Sequence, residues 1–240
     1  MRSPDSIRLV IGWDDREAVG GHVFLQSVIE KCSMPVEVTV LTPSLLTSLG
    51  VGTDGTNAFS KARFLTPYLS GFCGRAIFAD GADMLCLSDL AELWKLADGW
   101  SAVQVVKHDY TPRNKKKYVG TDMESDNEPY PRKQWSSLVL WNCSYTGHRQ
   151  LTPEFVEKET GKYLHRFSWI PDERIGELPK EWNWLVDEDN QAEKAKMVHW
   201  TNGLPGFTHY EGVSYSDKWK HTWGDMNAGL QYPISLERKA

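Results

Sequence analysis

The stretch RAIFADGADMLCLSDLAELW, residues 75–94, decides the fold. Arg75 to Phe78 makes a short apolar run of the kind that forms a buried strand, and Asp80 and Asp83 follow it at once. Ser88 to Leu96 then reads as a helix with Ser88 at its N-cap. A strand that hands carboxylates to a loop before a helix matches the way α/β sheets present ligands, beyond the C-terminal ends of their strands. Two loop carboxylates suit Mg2+ or Mn2+, hard cations that take oxygen ligands and that can bridge to a diphosphate. The spacing by itself leaves a plain solvated turn equally open, because acidic pairs after strands are common.

Outward from this segment the chain alternates strands and helices. Ile7 to Gly12 (IRLVIG) is a β-branched run ending in Gly12-Trp13-Asp14-Asp15, a first strand entering a loop. Apolar residues at helical spacing mark Glu17 to Lys31 as the crossover helix of a βαβ unit, and Val36 to Leu41 is the next strand. Ser60 to Leu69 (SKARFLTPYL) reads as a helix carrying Lys61 and Arg63. Ala102 to Val106 and Leu138 to Trp141 are further strands, and Thr152 to Thr160 is a helix with Thr152 and Pro153 as cap and first turn. Residues 107–133, rich in lysine and acids, are too long for an ordinary connection and form either a mobile active-site loop or a surface insertion. From Trp182 onward Trp, Gly and Pro with weak periodicity predict irregular structure, and 224–240 reads as a C-terminal tail. These elements make one α/β domain over residues 1–240, with a mixed, mostly parallel sheet flanked by helices.

Composition narrows the function. The 240 residues are 40% hydrophobic and 25% charged, ordinary values for a globular chain, and the formal charge of −5 weighs against unaided binding to a nucleic-acid backbone. A nucleotide diphosphate is compatible with that sign, since a metal and a few cations can neutralise it locally. The four cysteines, Cys32, Cys73, Cys86 and Cys143, form no CxxC pair and read as mostly buried thiols of a reducing, cytoplasmic compartment. No apolar run approaches a membrane span, and no signal-peptide core opens the chain. Eleven tryptophans, ten of them from Trp94 on, are read first as core and second as a sugar-binding platform.

Residues 75–94 resemble the acidic-motif region of retaining glycosyltransferases related to family 8, in which a strand ends in Asp-x-Asp and leads to a helix ending in Glu-Leu-Trp. Here Asp80-Gly81-Ala82-Asp83 is one residue longer, which leaves the division of labour between the two aspartates open. Other segments are similar to the family in the same order. The resemblance implies a GT-A, nucleotide-sugar-binding fold and assigns roles residue by residue. Arg63, with Lys61 second, faces the donor diphosphate from SKARFLTPYL. Gly12, Trp13 and Asp14 hold the nucleoside, and Ser136 and Ser137, ahead of Leu138-Val139-Leu140-Trp141-Asn142, lie beside the donor sugar. Asp172 and Glu173, upstream of Leu178-Pro179 and Trp182-Asn183, act near the reacting carbon. His199, in Val198-His199-Trp200-Thr201-Asn202-Gly203, is the third metal ligand with Asp80 and Asp83, and the amides of Asn202 and Gly203 face the β-phosphate. The likeness runs from about residue 7 to 223, with 107–133 unmatched.

The implied reaction moves a hexose or N-acetylhexosamine from a nucleotide diphosphate sugar, by family habit a UDP-sugar, to an acceptor hydroxyl with retention and with Mn2+ or Mg2+ as cofactor. The 107–133 loop and the C-terminal loop are expected to close over the donor. Two rivals stand beside this reading. A sugar nucleotidyltransferase shares the carboxylate layout, but it calls for a Gly-rich basic loop after the first strand, where GWDDRE has one arginine and one glycine. A non-catalytic carbohydrate- or nucleotide-binding module fits the stretched acidic motif and the tryptophans.

Overall fold

Alternation along the first strand sets the two-sided core. In the computed structural model, which describes residues 6–53, 57–189 and 194–228, β1 (Ile7–Gly12) is buried at every position except Arg8. Leu9 and Ile11 point to one face of the sheet, Val10 to the other, and β3 (Arg75–Ala79) repeats this with Ile77 and Ala79 opposite Phe78. A strand apolar on both sides belongs inside a sheet covered on both faces.

That sheet has six strands in the order β2-β1-β3-β8-β5-β9, with β2 at Val36–Leu41, β5 at Val103–Val105, β8 at Leu138–Asn142 and β9 at Ile175–Glu177. Strand β1 runs parallel to β2 and β3, β8 runs antiparallel to β3 and β5, and β9 runs parallel to β5. The sheet is therefore mixed and mostly parallel, as the sequence predicts, and the reversed strand is β8. Helix α1 (Ala18–Lys31) covers one face through Phe24 and Val28. On the other face lie α2 (Pro43–Ser48), the 3-10 turn Ala62–Leu65 leading into α3 (Thr66–Leu69), α5 (Pro153–Lys158) and α6 (Gly161–His165), with Leu46, Phe64, Val156 and Leu164 buried. A second sheet, β10 (Trp184–Leu185), β11 (Met197–His199) and β4 (Met84–Cys86), packs with α7 (Ser216–Ala228) around Trp200 and Trp219. Between β5 and β8 two short strands, β6 (Lys116–Lys117) and β7 (Ser125–Asp126), pair with each other.

Several local expectations are corrected. The helix expected over 60–69 is a 3-10 turn, Ala62–Leu65, followed by α3. Pro67 lacks the N–H that a continuous α-helix would aim at the Arg63 carbonyl, and the Thr66 hydroxyl donates there instead at 2.8 Å. Helix α4 (Leu90–Trp94) is capped by Asp89, whose carboxylate accepts from Ala91 N at 2.9 Å and Ser33 N at 3.0 Å, so Ser88 is not the cap. The region after Trp182 is not wholly irregular, since it holds β10, β11 and the thirteen-residue α7. That helix buries only Trp219 and Thr222, too little apolar surface to leave a periodic signal. Residues 224–228 of the expected tail continue α7, and 229–240 lie outside the described residues. Cys86 and Cys143 are buried, Cys32 is half-buried and Cys73 is exposed. Among the described residues no helix is long and apolar enough to cross a membrane.

Candidate active site

The acidic loop turns back on itself immediately after β3. Gly81 sits at φ +78°, a left-handed conformation that suits glycine, and the turn closes through Met84 N to Gly81 O at 3.1 Å. The extra residue in Asp-Gly-Ala-Asp is thus absorbed in a tight turn, and both carboxylates emerge on one side, each about 6% exposed. Antiparallel pairing of β4 with β11 then sets Met84 against His199, and Trp200 N donates to Asp83 O at 2.9 Å. This pairing joins residues far apart in sequence. Ligand atoms of Asp80, Asp83 and His199 lie within 4.8 Å of one another, with His199 Nε2 at 3.3 Å from Asp83 Oδ2.

The His199 tautomer is fixed from behind. Asn183 Nδ2 donates to Ser137 Oγ at 2.8 Å and to the carbonyl of Gln134 at 3.2 Å, which forces Asn183 Oδ1 toward His199. That oxygen accepts from His199 Nδ1 at 3.0 Å, so Nε2 is the nitrogen turned toward the carboxylates, where its lone pair would serve a metal ion. Asn183 is fully buried and belongs to the site, although its sequence signature gives it no role.

Arg63 places Nη1 at 2.6 Å from Asp80 Oδ1 and donates to Ser136 O at 3.1 Å, with only 6% of its side chain exposed. Burial pushes the Asp80 carboxyl up to about 6 in spite of Arg63. Burial also raises Asp83, but His199, Lys117 and the Tyr118 hydroxyl, 3.2 Å from Oδ2, outweigh it and hold Asp83 below the ordinary carboxylate value. Behind the turn, Glu17 is 3% exposed, and burial followed by the charges of Asp83, Asp14 and Asp80 keeps it far above the carboxylate range. Asp83 Oδ1 and Glu17 Oε1 are buried without a hydrogen-bond partner. Two carboxylates and one imidazole lone pair, with an unsatisfied buried oxygen among them, fit a hard or borderline divalent cation.

The trio opens into a cleft of about 590 Å³ lined also by Arg63, Lys117, Tyr130, Lys133, Ser136 and His165. Ser136 reaches it with its hydroxyl 2.7 Å from His165 Nδ1. Ser137 lies one layer deeper, bonded to Gln134 O and Asn183. Lys61 points elsewhere, donating to Glu157 O at 2.7 Å. Asp14 is 3% exposed, and its oxygens already accept from Arg16 and from Ala58 N at 2.9 Å, so it braces the loop. Gly12 packs under the Phe59 ring too closely for a side chain, and Trp13 donates to Asp15 Oδ1 at 3.0 Å. Asn202 spends its carbonyl on Tyr118 N and its Oδ1 on Asn127, while Gly203 lies under Tyr210. Asp172 and Glu173 are not brought to the cleft. They precede β9, at the end of the sheet where β5 begins, and the Asp172 side chain is 80% exposed and paired with Arg132 at 2.6 Å. Residues 107–133 fold over the site: Tyr118 is 2% exposed, and Val119 N donates to the Tyr210 hydroxyl at 2.8 Å.

Comparison with known proteins places the chain. It is 38% identical over 230 residues to Protein CDI of Arabidopsis thaliana, spanning 92% of this chain and 87% of that protein. The chain belongs to the Protein CDI family. No family model matches it. Among solved structures it resembles the WbbM bifunctional glycosyltransferase, with TM-score 0.66 and 17% identity over 93% of this chain. It also resembles the glycosyltransferase GlyE of Streptococcus pneumoniae TIGR4 (0.62, 11%, 92%) and the galactosyltransferase LgtC in complex with donor and acceptor sugar analogs (0.60, 10%, 95%). The chain spans 50% of the WbbM chain, 62% of GlyE and 98% of LgtC. The fold of this CDI-family chain is therefore the GT-A glycosyltransferase fold.

Proposed function

We propose that the chain is a metal-dependent glycosyltransferase that moves a hexose or N-acetylhexosamine from a nucleotide diphosphate sugar, by preference a UDP-sugar, to an acceptor hydroxyl with retention. The observation that carries this reading is the convergence of Asp80, Asp83 and His199 beside Arg63 at a cleft in a GT-A fold. Asp80, Asp83 and His199 would hold a divalent cation, which would offer positive charge to a leaving diphosphate. Arg63 is buried beside the same point and offers guanidinium donors to phosphate oxygens, an interaction strengthened by the dry surroundings. The folded-over segment around Tyr118 excludes water from the reacting bond and so limits hydrolysis. Ser136, at the cleft wall, is placed to hold a sugar hydroxyl.

The test incubates the protein with UDP-glucose, UDP-galactose and UDP-N-acetylglucosamine in Mn2+ and follows both melting temperature and released nucleotide. At least one donor raises the melting temperature and releases UDP, and chelation abolishes both effects. Stabilisation with no nucleotide released in any acceptor mixture supports the binding-module alternative. Silence in both readouts across the panel rejects the proposal. The anomeric configuration of the product, read by NMR, decides retention.

A further inference from the structure

Of the cations that line the cleft, Lys117 and Lys133 come from the segment 107–133 that has no counterpart in the sequence likeness. Lys133 is 6% exposed, an unusual state for a lysine, and among the described residues it pairs with no carboxylate. Its Nζ donates to the Glu128 carbonyl at 3.0 Å and stands 4.6 Å from the Tyr130 ring centroid, leaving N–H donors for the cleft. Lys117, at the end of β6, is half-buried with its Nζ 5.6 Å from the Tyr118 ring centroid, and it feels Asp80 and Asp83 without reaching ion-pair distance. Arg63 completes the set. All three act on His165, which burial first and then these cations hold neutral, with a pKa of about 3. Like charges gathered in a half-closed cleft are unfavourable unless an anion joins them.

The cleft lining carries five cationic and four anionic side chains, histidines aside. A divalent ion on the carboxylates makes the cavity strongly positive, which matches a diphosphate and not a neutral sugar. The 107–133 segment is held in place by its own contacts. Tyr118 N donates to Asn202 O at 2.6 Å, Asn127 Nδ2 to Asn202 Oδ1 at 3.1 Å, and Val119 N to the Tyr210 hydroxyl.

We infer that Lys117 and Lys133 form a diphosphate clamp, so that the segment 107–133 supplies the cations that grip the donor's phosphates opposite Arg63. The inference rests on the nucleotide-sugar reading for the identity of the ligand, but the clamp itself is tested with inorganic pyrophosphate. Calorimetry in Mn2+ measures pyrophosphate, UDP and uridine against the wild-type protein, Lys117→Met, Lys133→Met and Lys117→Arg. Each methionine variant is expected to weaken pyrophosphate and UDP about tenfold, with uridine unchanged and the salt dependence of UDP binding reduced. Lys117→Arg is expected to stay within about threefold of wild type. Melting temperatures confirm folding, and because methionine fills the space of the lysine stem, Lys133→Met is expected to remain folded. Wild-type affinity for pyrophosphate in both methionine variants overturns the clamp while leaving the glycosyltransferase reading intact. Tight, lysine-dependent pyrophosphate binding with no affinity for any nucleotide sugar keeps the clamp and defeats that reading. Absence of pyrophosphate binding to the wild-type protein defeats the clamp outright.

Discussion

At the scale of single residues the site depends on the side chains that brace Asp80, Asp83 and His199. Asn183 chooses which nitrogen of His199 faces Asp83, because its amide nitrogen is committed to Ser137 and Gln134. Replacing it with leucine frees the ring to adopt either tautomer and leaves buried polar groups unpaired. Mn2+ affinity is expected to fall by about ten- to a hundredfold, the range typical of lost outer-shell partners, and stability by about 1–3 kcal/mol. Asn183→Asp, which still accepts from Nδ1, is expected to keep more of the affinity. Equal Mn2+ binding by wild type and Asn183→Leu in calorimetry would show that the tautomer is set elsewhere. Arg63 is the counterpart for charge. Arg63→Met strands the buried Asp80 carboxylate and is expected to destabilise the metal-free protein by about 3–5 kcal/mol. The double variant Arg63→Met/Asp80→Asn should recover most of that loss in urea unfolding with chelator present, and failure to recover would mean the guanidinium matters mainly through Ser136 O.

At the scale of elements, α1 and the acidic turn are fitted to each other. A Cβ built on Gly20 lies 2.0 Å from the Ala82 carbonyl oxygen, so the helix closes on the loop that carries both aspartates. Gly→Ala in an exposed helix interior normally stabilises by about 0.8–1 kcal/mol. Gly20→Ala is expected to do the opposite, shifting the 80–83 turn, lowering the melting temperature and weakening Mn2+ together. Gly224→Ala in α7, where nothing lies within 4 Å, is expected to show the ordinary gain. If both alanines behave alike in melting and Mn2+ titrations, the contact between α1 and the turn has no consequence. The same elements show what the sequence could reveal. The strands with continuous apolar runs, β1, β3 and β8, were legible because burial on both faces leaves a local signature, and the edge strand β2 showed itself by its alternating β-branched residues. Helix α7 was not, because only Trp219 and Thr222 are buried in it, and neither was the 3-10 turn at Arg63, where Pro67 acts on hydrogen bonds rather than on periodicity.

At the scale of the whole molecule, Asp80, Asp83 and His199 were named together through the family resemblance, since their types and spacing alone left a plain turn open, and the places of Asn183, Lys117, Tyr118 and Glu17 arise only from contacts between distant segments. The tryptophans divide in the same way: Trp141, Trp182 and Trp200 are core, whereas Trp100 is 61% and Trp223 48% exposed. Global burial of titratable groups also shapes the response to acid. Burial holds His108 and His148 at about 4 and His165 at about 3. In His148 the neutral form is bonded on both sides, donating from Nε2 to Ala102 O and accepting from Trp169 on Nδ1. Because these pKa values are depressed, the unfolded chain binds more protons than the native one between about pH 6.5 and 4, so each histidine lowers stability as pH falls through that window, by up to ~1.4 kcal/mol per unit. Asp80 and Glu17, whose values are raised, act in the opposite sense, since the native state takes up their protons first. The wild-type curve is a balance of the two groups, and variants separate them. His148→Gln is expected to gain stability relative to wild type as pH drops from 7 to 5. Glu17→Gln is expected to be more stable than wild type at pH 8 and to lose that advantage toward pH 5. Urea midpoints collected across this range check both signs, and parallel curves for wild type and either variant would mean that the buried group titrates as it does in the unfolded chain.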